Sequence, residues 1–205
     1  MIYLASRSPR RRALLEQIGV RHRVLRVEVE ERRERDESPE AFVRRMARLK
    51  VETGRSRLAA TDATPVLGAD TAVVLDGEVL GKPGSADAAR RMLERLSGRA
   101  HEVLTAVTLA RVSRQPTAAD EAIAVALSRS RVWFRELDPA ECETYCASGE
   151  PLDKAGGYAI QGRAAVFVRH LEGSYSGVVG LPLFETAELL RAAGIPVPSR
   201  SDPAG

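Results

Sequence analysis

The sequence predicts an α/β fold built on a β-sheet with flanking helices. Short apolar runs, such as Ile2–Ala5 and residues 66–69, have the length and composition of buried strands. Amphipathic segments with the helical period of 3.6 residues alternate with them along the chain. Two longer segments in the second half alternate apolar and polar residues, which favours a broad antiparallel ribbon. Such an order of elements is typical of a sheet covered by helices.

The first predicted helix follows the first strand directly. Ser8 is the predicted N-cap, Pro9 lies in the first turn, and the apolar stripe ends at Gly19. The first turn also carries three arginines, although the helix macrodipole is already positive at this end. A bound anion would resolve this conflict. The three residues are Arg10, Arg11 and Arg12.

The next elements follow from caps, turns and period. The predictions are a strand over residues 23–29, a helix opened by Ser38 and Pro39 that runs to about Leu58, a strand over residues 66–69 that enters Asp70, a hairpin over residues 72–80 turned by Asp76 and Gly77, and a helix capped by Ser85.

The second half is interpreted in the same way. The predictions are strands over residues 103–109 and 123–134 joined by a polar loop with Pro116, a helix over Pro139–Ala147, a strand over residues 165–171 and a helix over residues 182–193. We expect a single domain over residues 1–197. The polar, proline-containing residues 198–205 are expected to form a disordered tail.

Composition and charge exclude several classes of protein. The chain has 205 residues, of which 44% are hydrophobic and 29% charged, and no run approaches the roughly 20 apolar residues of a membrane span. The apolar start precedes the basic string SRSPRRR, the reverse of a secretory signal, so we expect a cytoplasmic protein. Cys142 and Cys146 lack redox or zinc spacing and are expected to be reduced structural thiols.

Four segments place polar residues where strands end or helices begin, the usual location of sites in open α/β sheets. They are LASRSPRRRALL, LGADTAVVLDGEVLGKP, LSGRAHEVLTAV, and EPLDKAGGYAIQG with the following GSYSGVVGLPL. Taken singly, each has a plain structural interpretation. The arginines could be solvated, Asp70 could form a turn, Lys82 could lie on the surface, and the glycines could form simple loops.

Taken together, the four segments resemble the Maf family of nucleoside triphosphate pyrophosphatases, in the family's order and spacing from Leu4 to Leu183. The resemblance implies an elongated mixed β-sheet with flanking helices, in two lobes around a cleft, similar to inosine triphosphate pyrophosphatases. It also implies a homodimer. The implied reaction is metal-dependent cleavage of a nucleoside triphosphate between its α and β phosphates.

The resemblance also implies roles for individual residues. Asp70, in the GADT string, matches the family's proposed general base. Three positions match those linked to substrate choice, namely Arg10, Thr71 and Gln161. Five more match residues that line the phosphate and metal cleft, namely Ser8, Arg11, Glu31, Lys50 and Lys82.

The chemistry explains why such residues are needed. A triphosphate carries about four negative charges, and its transfer depends on positioning and on electrostatic stabilisation, which arginine and lysine supply. Mg²⁺ or Mn²⁺ would bind one or two carboxylates together with substrate oxygens and water, and Glu31 and Asp70 could provide the carboxylates. Asp70 could either orient the attacking water or bind the metal, and the sequence leaves both roles open.

The identity of the base depends mainly on Gln161. Its string, YAIQG, resembles the branch that acts on dTTP and UTP, whereas the branch that acts on 7-methyl-GTP has a CEG-like string. A glutamine amide offers one acceptor and two donors, which suits the edge of uracil. The plain alternative is a buried glutamine that holds the glycine loop. Departures from the family pattern at Arg7, Gly81 and Gly177 keep 7-methyl-GTP or a broad range of nucleotides as alternatives.

A second class of function is a regulatory binding module, because Maf proteins are also associated with inhibition of septum formation. Binding to nucleic acid through the N-terminal arginines is disfavoured, because aromatic residues for base stacking are scarce, with only four Phe, four Tyr and one Trp. We therefore expect a nucleoside triphosphate as the partner, and neither nucleic acid nor a membrane.

Overall fold

The computed structural model of the chain describes residues 1–112 and 121–197. The strands are β1 (Ile2–Ala5), β2 (His22–Leu25), β3 (Val66–Leu75), β4 (Glu78–Leu80), β5 (Ala100–Val112), β6 (Glu121–Phe134) and β7 (Val168–Glu172). The helices are α1 (Pro9–Gln17), α2 (Pro39–Arg55), α3 (Ala86–Leu96), α4 (Pro139–Ala147), α5 (Tyr175–Val179) and α6 (Leu183–Ala192).

The strands form one mixed sheet, which confirms the predicted fold class. Its order is β2-β1-β3-β5-β6-β7, and β4 pairs with β3 off this path. β1 lies parallel to β2 and β3, whereas β3, β5, β6 and β7 are successively antiparallel. β5 and β6 form the predicted long ribbon, in register from Ala100 opposite Trp133 to Val112 opposite Glu121.

Helices cover both faces of the sheet. Alternate residues of β3 face opposite sides, so Leu67 and Ala69 join the main core with residues of α1, α3, α4 and α6, while Ala72 and Val74 pack against α2. Gly68 lets α2 approach the β3 backbone, because an added Cβ would lie 2.7 Å from Val51 Cγ2. The helix therefore passes directly over the strand segment that contains Asp70.

Strand pairing is interrupted along one edge of β3, which leaves a gap between two neighbouring strands. β5 pairs with β3 from Val66 to Val74, so β1 and β4 share the opposite edge. β1 pairs there with Val66 and Leu67, and β4 pairs with residues 73–75. Within the described part of the chain, no strand pairs with residues 68–72 on this edge. The loops that follow β1 and β4 flank this gap.

Several local predictions are confirmed in detail. The side chains of Ser38 and Ser85 cap α2 and α3, accepting hydrogen bonds from backbone amides three residues later. Asp76 and Gly77 turn the hairpin with positive φ angles of 52° and 78°. α4 covers the predicted residues, and both of its cysteines are buried free thiols.

Other predictions are wrong at the ends of elements. The strand predicted over residues 23–29 ends at Leu25, because its partner β1 ends opposite, at Ala5. Residues 66–69 and the first arm of the hairpin form one strand, because β5 pairs with both. The strand predicted over residues 165–171 begins only at Val168, after a 3-10 helix over Arg163–Phe167. α2 ends at Arg55, three residues early, and the short helix α5 was not predicted. The predicted Pro116 loop and residues 198–205 lie outside the described residues.

Candidate active site

A cleft of about 1150 Å³ opens at the interrupted edge of β3. One wall consists of the loop after β1, the start of α1 and part of α2, and the other contains the loop after β4 and residues 153–161. All nine residues predicted for the site line this cleft. They are Ser8, Arg10, Arg11, Glu31, Lys50, Asp70, Thr71, Lys82 and Gln161.

Asp70 lies at the gap with its side chain towards α2. It is 5% exposed, and its Oδ1 accepts a hydrogen bond of 2.6 Å from Lys50 Nζ. Lys50 lies one turn after Met46 and is itself buried within the inward face of α2. The close packing of α2 at Gly68 brings the lysine within reach of the strand.

Glu31 extends this pair into a chain of alternating charges. Lys50 Nζ also donates to Glu31 Oε1 at 2.7 Å, and Lys82 Nζ donates to Glu31 Oε2 at 2.7 Å. Partial burial would raise the pKa of Glu31, but the charges and hydrogen bonds of Lys50 and Lys82 outweigh burial and lower this pKa to about 2. Glu31 is therefore ionised at any physiological pH.

Asp70 differs from Glu31 although both contact Lys50. Deep burial raises the pKa of Asp70 above its ordinary value, against the opposing charges of Lys50 and Arg11. Environments that push the pKa values of two neighbouring carboxylates apart assign them different roles. Asp70 is the better proton acceptor, and Glu31 is a fixed negative charge.

Arg11 lies inside the wall of the cleft. Its Nε donates to the carbonyl oxygen of Gly180 at 2.7 Å, Nη2 donates to Thr71 Oγ1 at 3.2 Å and Nη1 donates to Ser6 Oγ at 3.4 Å. Burial lowers the pKa of this guanidinium, against the charges of Asp70 and Glu31. Three of its five N–H groups thus bind the protein itself, which the sequence did not indicate.

Three other predicted residues present their side chains to the cleft. Ser8 is the N-cap of α1 by its backbone, but its hydroxyl forms no capping bond, which corrects the expected capping role. Arg10 is half-buried and Gln161 is exposed. Among the residues that the structure describes, the side chains of Ser8, Arg10 and Gln161 form no hydrogen bond. The alternative of a buried Gln161 that holds the glycine loop is therefore wrong.

Thr71 points to the face of β3 opposite Asp70, where sequence reasoning missed its main partner. Thr105 lies opposite Thr71 in the register of β5 and is fully buried. Its Oγ1 lies 3.0 Å from Thr71 Oγ1 and 2.8 Å from the carbonyl oxygen of Gly177. The available signal was a threonine at a buried strand position within LSGRAHEVLTAV, but the sequence does not show which residue it contacts.

The carboxylates fit a divalent cation that takes most of its ligands from elsewhere. Asp70 Oδ2 binds no described residue, and Glu31 shares the same lysine with Asp70. Within residues 1–112 and 121–197, no group of three or more His, Cys, Asp or Glu side chains is arranged to hold a metal. One or two carboxylates completed by phosphate oxygens and water is the arrangement that Mg²⁺ prefers.

The helices of the described chain include none that is long and apolar enough to cross a membrane.

Several known proteins are similar to this chain over most of its length. A protein of Alkalilimnicola ehrlichii named dTTP/UTP pyrophosphatase is 56% identical over 192 residues, covering 92% of this chain and 91% of the relative. Relatives of the same name from Methylococcus capsulatus and Nitrosospira multiformis are 55% and 52% identical, each over 95% of this chain and over 91% and 95% of their own lengths.

A solved structure, the Ham1 protein of Staphylococcus aureus, is similar over 65% of this chain and 71% of its own, with 18% identity and a TM-score of 0.42. A family model described as Maf-like protein matches residues 1–193. This match covers nearly the whole chain, and the relatives align along almost their full lengths. The chain therefore belongs to the Maf family.

Proposed function

We propose that the protein hydrolyses dTTP and UTP to the nucleoside monophosphate and pyrophosphate. The observation that carries the proposal is the convergence of all nine predicted residues on one cleft, with the chain Asp70, Lys50, Glu31 and Lys82 at its centre. The relatives named dTTP/UTP pyrophosphatase support the choice of substrate.

The charge of the cleft suits a triphosphate. Seven basic and five acidic residues line it, which leaves a positive excess before any metal binds. Arg10 and Lys82 are among the accessible cations, and Arg10 lies in the first turn of α1, where backbone amides also favour anions. Phosphate oxygens would therefore compensate the unfavourable arginines at the start of α1 and take hydrogen bonds from cations that the protein leaves accessible.

Asp70 is the residue proposed to activate water. Its Oδ1 is fixed by Lys50, so Oδ2 can accept the proton of a water that adds across the α–β anhydride. The water oxygen bonds to one phosphorus, the bridging P–O bond breaks with its electron pair on the leaving phosphate, and the proton held by Asp70 passes to solvent, which gives the monophosphate and pyrophosphate. Lys50 holds the carboxylate in place, while Arg11 and Lys82 place positive charge beside the developing negative charge.

A divalent metal, Mg²⁺ or Mn²⁺, is part of this proposal. Glu31 would hold it together with phosphate oxygens, and metal binding is the alternative role of Asp70, which is proposed above as the base; when bound, the metal would neutralise charge on the phosphate oxygens. Glu31 is suited to this role because its low pKa keeps it ionised.

Gln161 is proposed to select the base, with Arg10 and Thr71 nearby in the same cleft. The exposed amide of Gln161 can pair with the acceptor and donor edge of uracil or thymine. The Thr71 hydroxyl is already shared with Arg11 and Thr105, so it acts by fixing the wall of the cleft.

A substrate panel tests the proposed function. Purified protein is incubated with dTTP, UTP, CTP, ATP or 7-methyl-GTP, each with Mg²⁺ or Mn²⁺, and both products are resolved by ion-exchange chromatography. We expect dTMP or UMP with equimolar pyrophosphate, and the highest kcat/KM for dTTP and UTP. Absence of pyrophosphate from every nucleotide would refute the activity, and preference for 7-methyl-GTP would refute the choice of base.

Assembly and location complete the proposal. We expect a homodimer, as the family resemblance implies, and analytical ultracentrifugation of the purified chain measures this. A cytoplasmic location is consistent with two free buried thiols and can be checked by cell fractionation.

A further inference from the structure

The proposed base-selecting amide lies in residues 158–163, the Gln161 segment, which contains no regular strand or α-helix up to Gly162. Such a segment needs side-chain anchors if Gln161 is to keep one position in the cleft. The structure provides an anchor at each end. At the start, Tyr158 is buried and its hydroxyl lies 2.8 Å from His101 Nε2.

The anchor at the other end is Glu150. Its Oε1 and Oε2 accept hydrogen bonds from the backbone N–H of Arg163 at 3.1 and 3.2 Å. Tyr145 of α4 donates its hydroxyl to the same Oε1 at 3.0 Å. The carboxylate thus joins α4 to the backbone two residues after Gln161.

Gly162 shows how closely the carboxylate approaches the segment. A Cβ added at Gly162 would lie 2.1 Å from Glu150 Oε1 and 2.6 Å from its Cδ. No side chain is possible at residue 162 without moving Glu150. The backbone beside Gln161 is therefore shaped around this carboxylate.

Tyr145 in turn is rigidly held. It is buried, and its ring packs edge to face against Phe167 with centroids 5.3 Å apart. Burial and the Glu150 carboxylate both raise the pKa of the Tyr145 hydroxyl, so it remains a donor at working pH. Glu150 is consequently oriented by the core, and it is not among the residues that line the cleft.

We infer that Glu150 is a positioning residue for base selection, which holds Gln161 in its productive place through the backbone of Gly162 and Arg163. This inference rests on the proposed function. It predicts that loss of Glu150 raises KM for the preferred pyrimidine nucleotides and weakens discrimination among bases. The phosphate chemistry at Asp70 should continue at its normal kcat, because Glu150 touches none of the phosphate-binding residues.

The test is a double-mutant cycle between Glu150 and Gln161. Wild type, Glu150→Ala, Gln161→Ala and the double variant are compared by kcat and KM for UTP and CTP. We expect each single variant to lower kcat/KM for UTP roughly tenfold, mainly through KM, as the loss of about one good hydrogen bond would do. The double variant should be no worse than Gln161→Ala, because Glu150 acts through Gln161.

Two further variants separate positioning from folding. Tyr145→Phe removes the hydroxyl that donates to Glu150 and should change the ratio of kcat/KM for UTP over CTP in the same direction, by about twofold to threefold. The matched control is Glu143→Ala, which changes an exposed glutamate on α4, the helix that contains Tyr145, and it should behave as wild type. Melting curves of all variants show whether each is folded at the assay temperature.

The outcomes are distinguishable. If wild type releases no pyrophosphate from any nucleotide, the proposed function fails. If wild type is active and depends on Gln161, but Glu150→Ala and Tyr145→Phe keep the wild-type ratio between UTP and CTP, the inference about Glu150 fails alone. Additive losses in the double variant, or a fall in kcat for UTP and CTP alike, would also overturn it.

Discussion

Replacement of Lys50 by methionine should destabilise the protein far more than the same change at Lys82. Lys50 donates to both Asp70 and Glu31 and its side chain is 10% exposed, whereas the Lys82 side chain is 53% exposed. Methionine removes the charge at similar length. Removal of one partner from a buried ion pair costs about 3 to 5 kcal/mol, because an uncompensated charge stays buried. An exposed pair contributes about 0 to 1 kcal/mol.

The difference can be measured as a melting temperature. For chains of this size about 1 kcal/mol corresponds to 2 to 4 °C, so Lys50→Met should lower Tm by roughly 10 °C and Lys82→Met by no more than about 4 °C. Tm is measured by calorimetry at pH 7.5, and a chelator in the buffer removes any bound metal that would stabilise the folded protein. Both variants should lose turnover of UTP. A Tm for Lys50→Met within about 3 °C of wild type would refute the assignment of Lys50 as a buried counter-ion.

Two further predictions concern the packing around the site. Burial lowers the pKa of His101 to about 4, so the unfolded chain binds a proton that the folded protein excludes between pH 6.5 and 4. The free energy of unfolding from urea titrations should therefore fall as pH decreases through this window, by up to about 1.4 kcal/mol per pH unit. His101→Gln should flatten this dependence of unfolding free energy on pH, whereas the control His170→Gln, at an exposed position, should keep it. An unchanged dependence in His101→Gln would show that another group causes it. Gly68→Ala should lower the free energy of unfolding in the same titration by about 1 to 3 kcal/mol and reduce turnover, because its Cβ would lie 2.7 Å from Val51 Cγ2 and displace α2. A Gly68→Ala protein as stable as wild type would contradict this close contact.

Elements with strong local signals were predictable from the sequence. Ser38 and Ser85 predict helices through their capping hydroxyls, and Asp76 with Gly77 predicts a hairpin because its turn needs positive φ angles. The ends of strands were not predictable where they depend on the length of the neighbouring strand. β2 stops at Leu25 because β1 is short, and the sequence of β2 does not show the length of β1.

The same limit applies to the site. The family resemblance identified nine residues, and they share one cleft. It did not show that Arg11 binds the carbonyl oxygen of Gly180, a residue 169 positions away, or that Thr105 supports Thr71. Contacts of this kind arise from the topology that brings α1, β5 and the turn after α5 together. Glu150 was missed for a similar reason, because its role depends on the path of the backbone at Gly162.

The most direct test of the proposed mechanism is the turnover of UTP by Asp70→Asn with Mg²⁺. Asparagine keeps the size of the side chain but is a far weaker proton acceptor and a weaker metal ligand. The exposed Asp36→Asn is the matched control. We expect a folded Asp70→Asn protein whose kcat falls at least about a hundredfold, the range of general-base catalysis, while Asp36→Asn remains active. Near-normal pyrophosphate release by folded Asp70→Asn would contradict the assignment of Asp70 as the centre of the site.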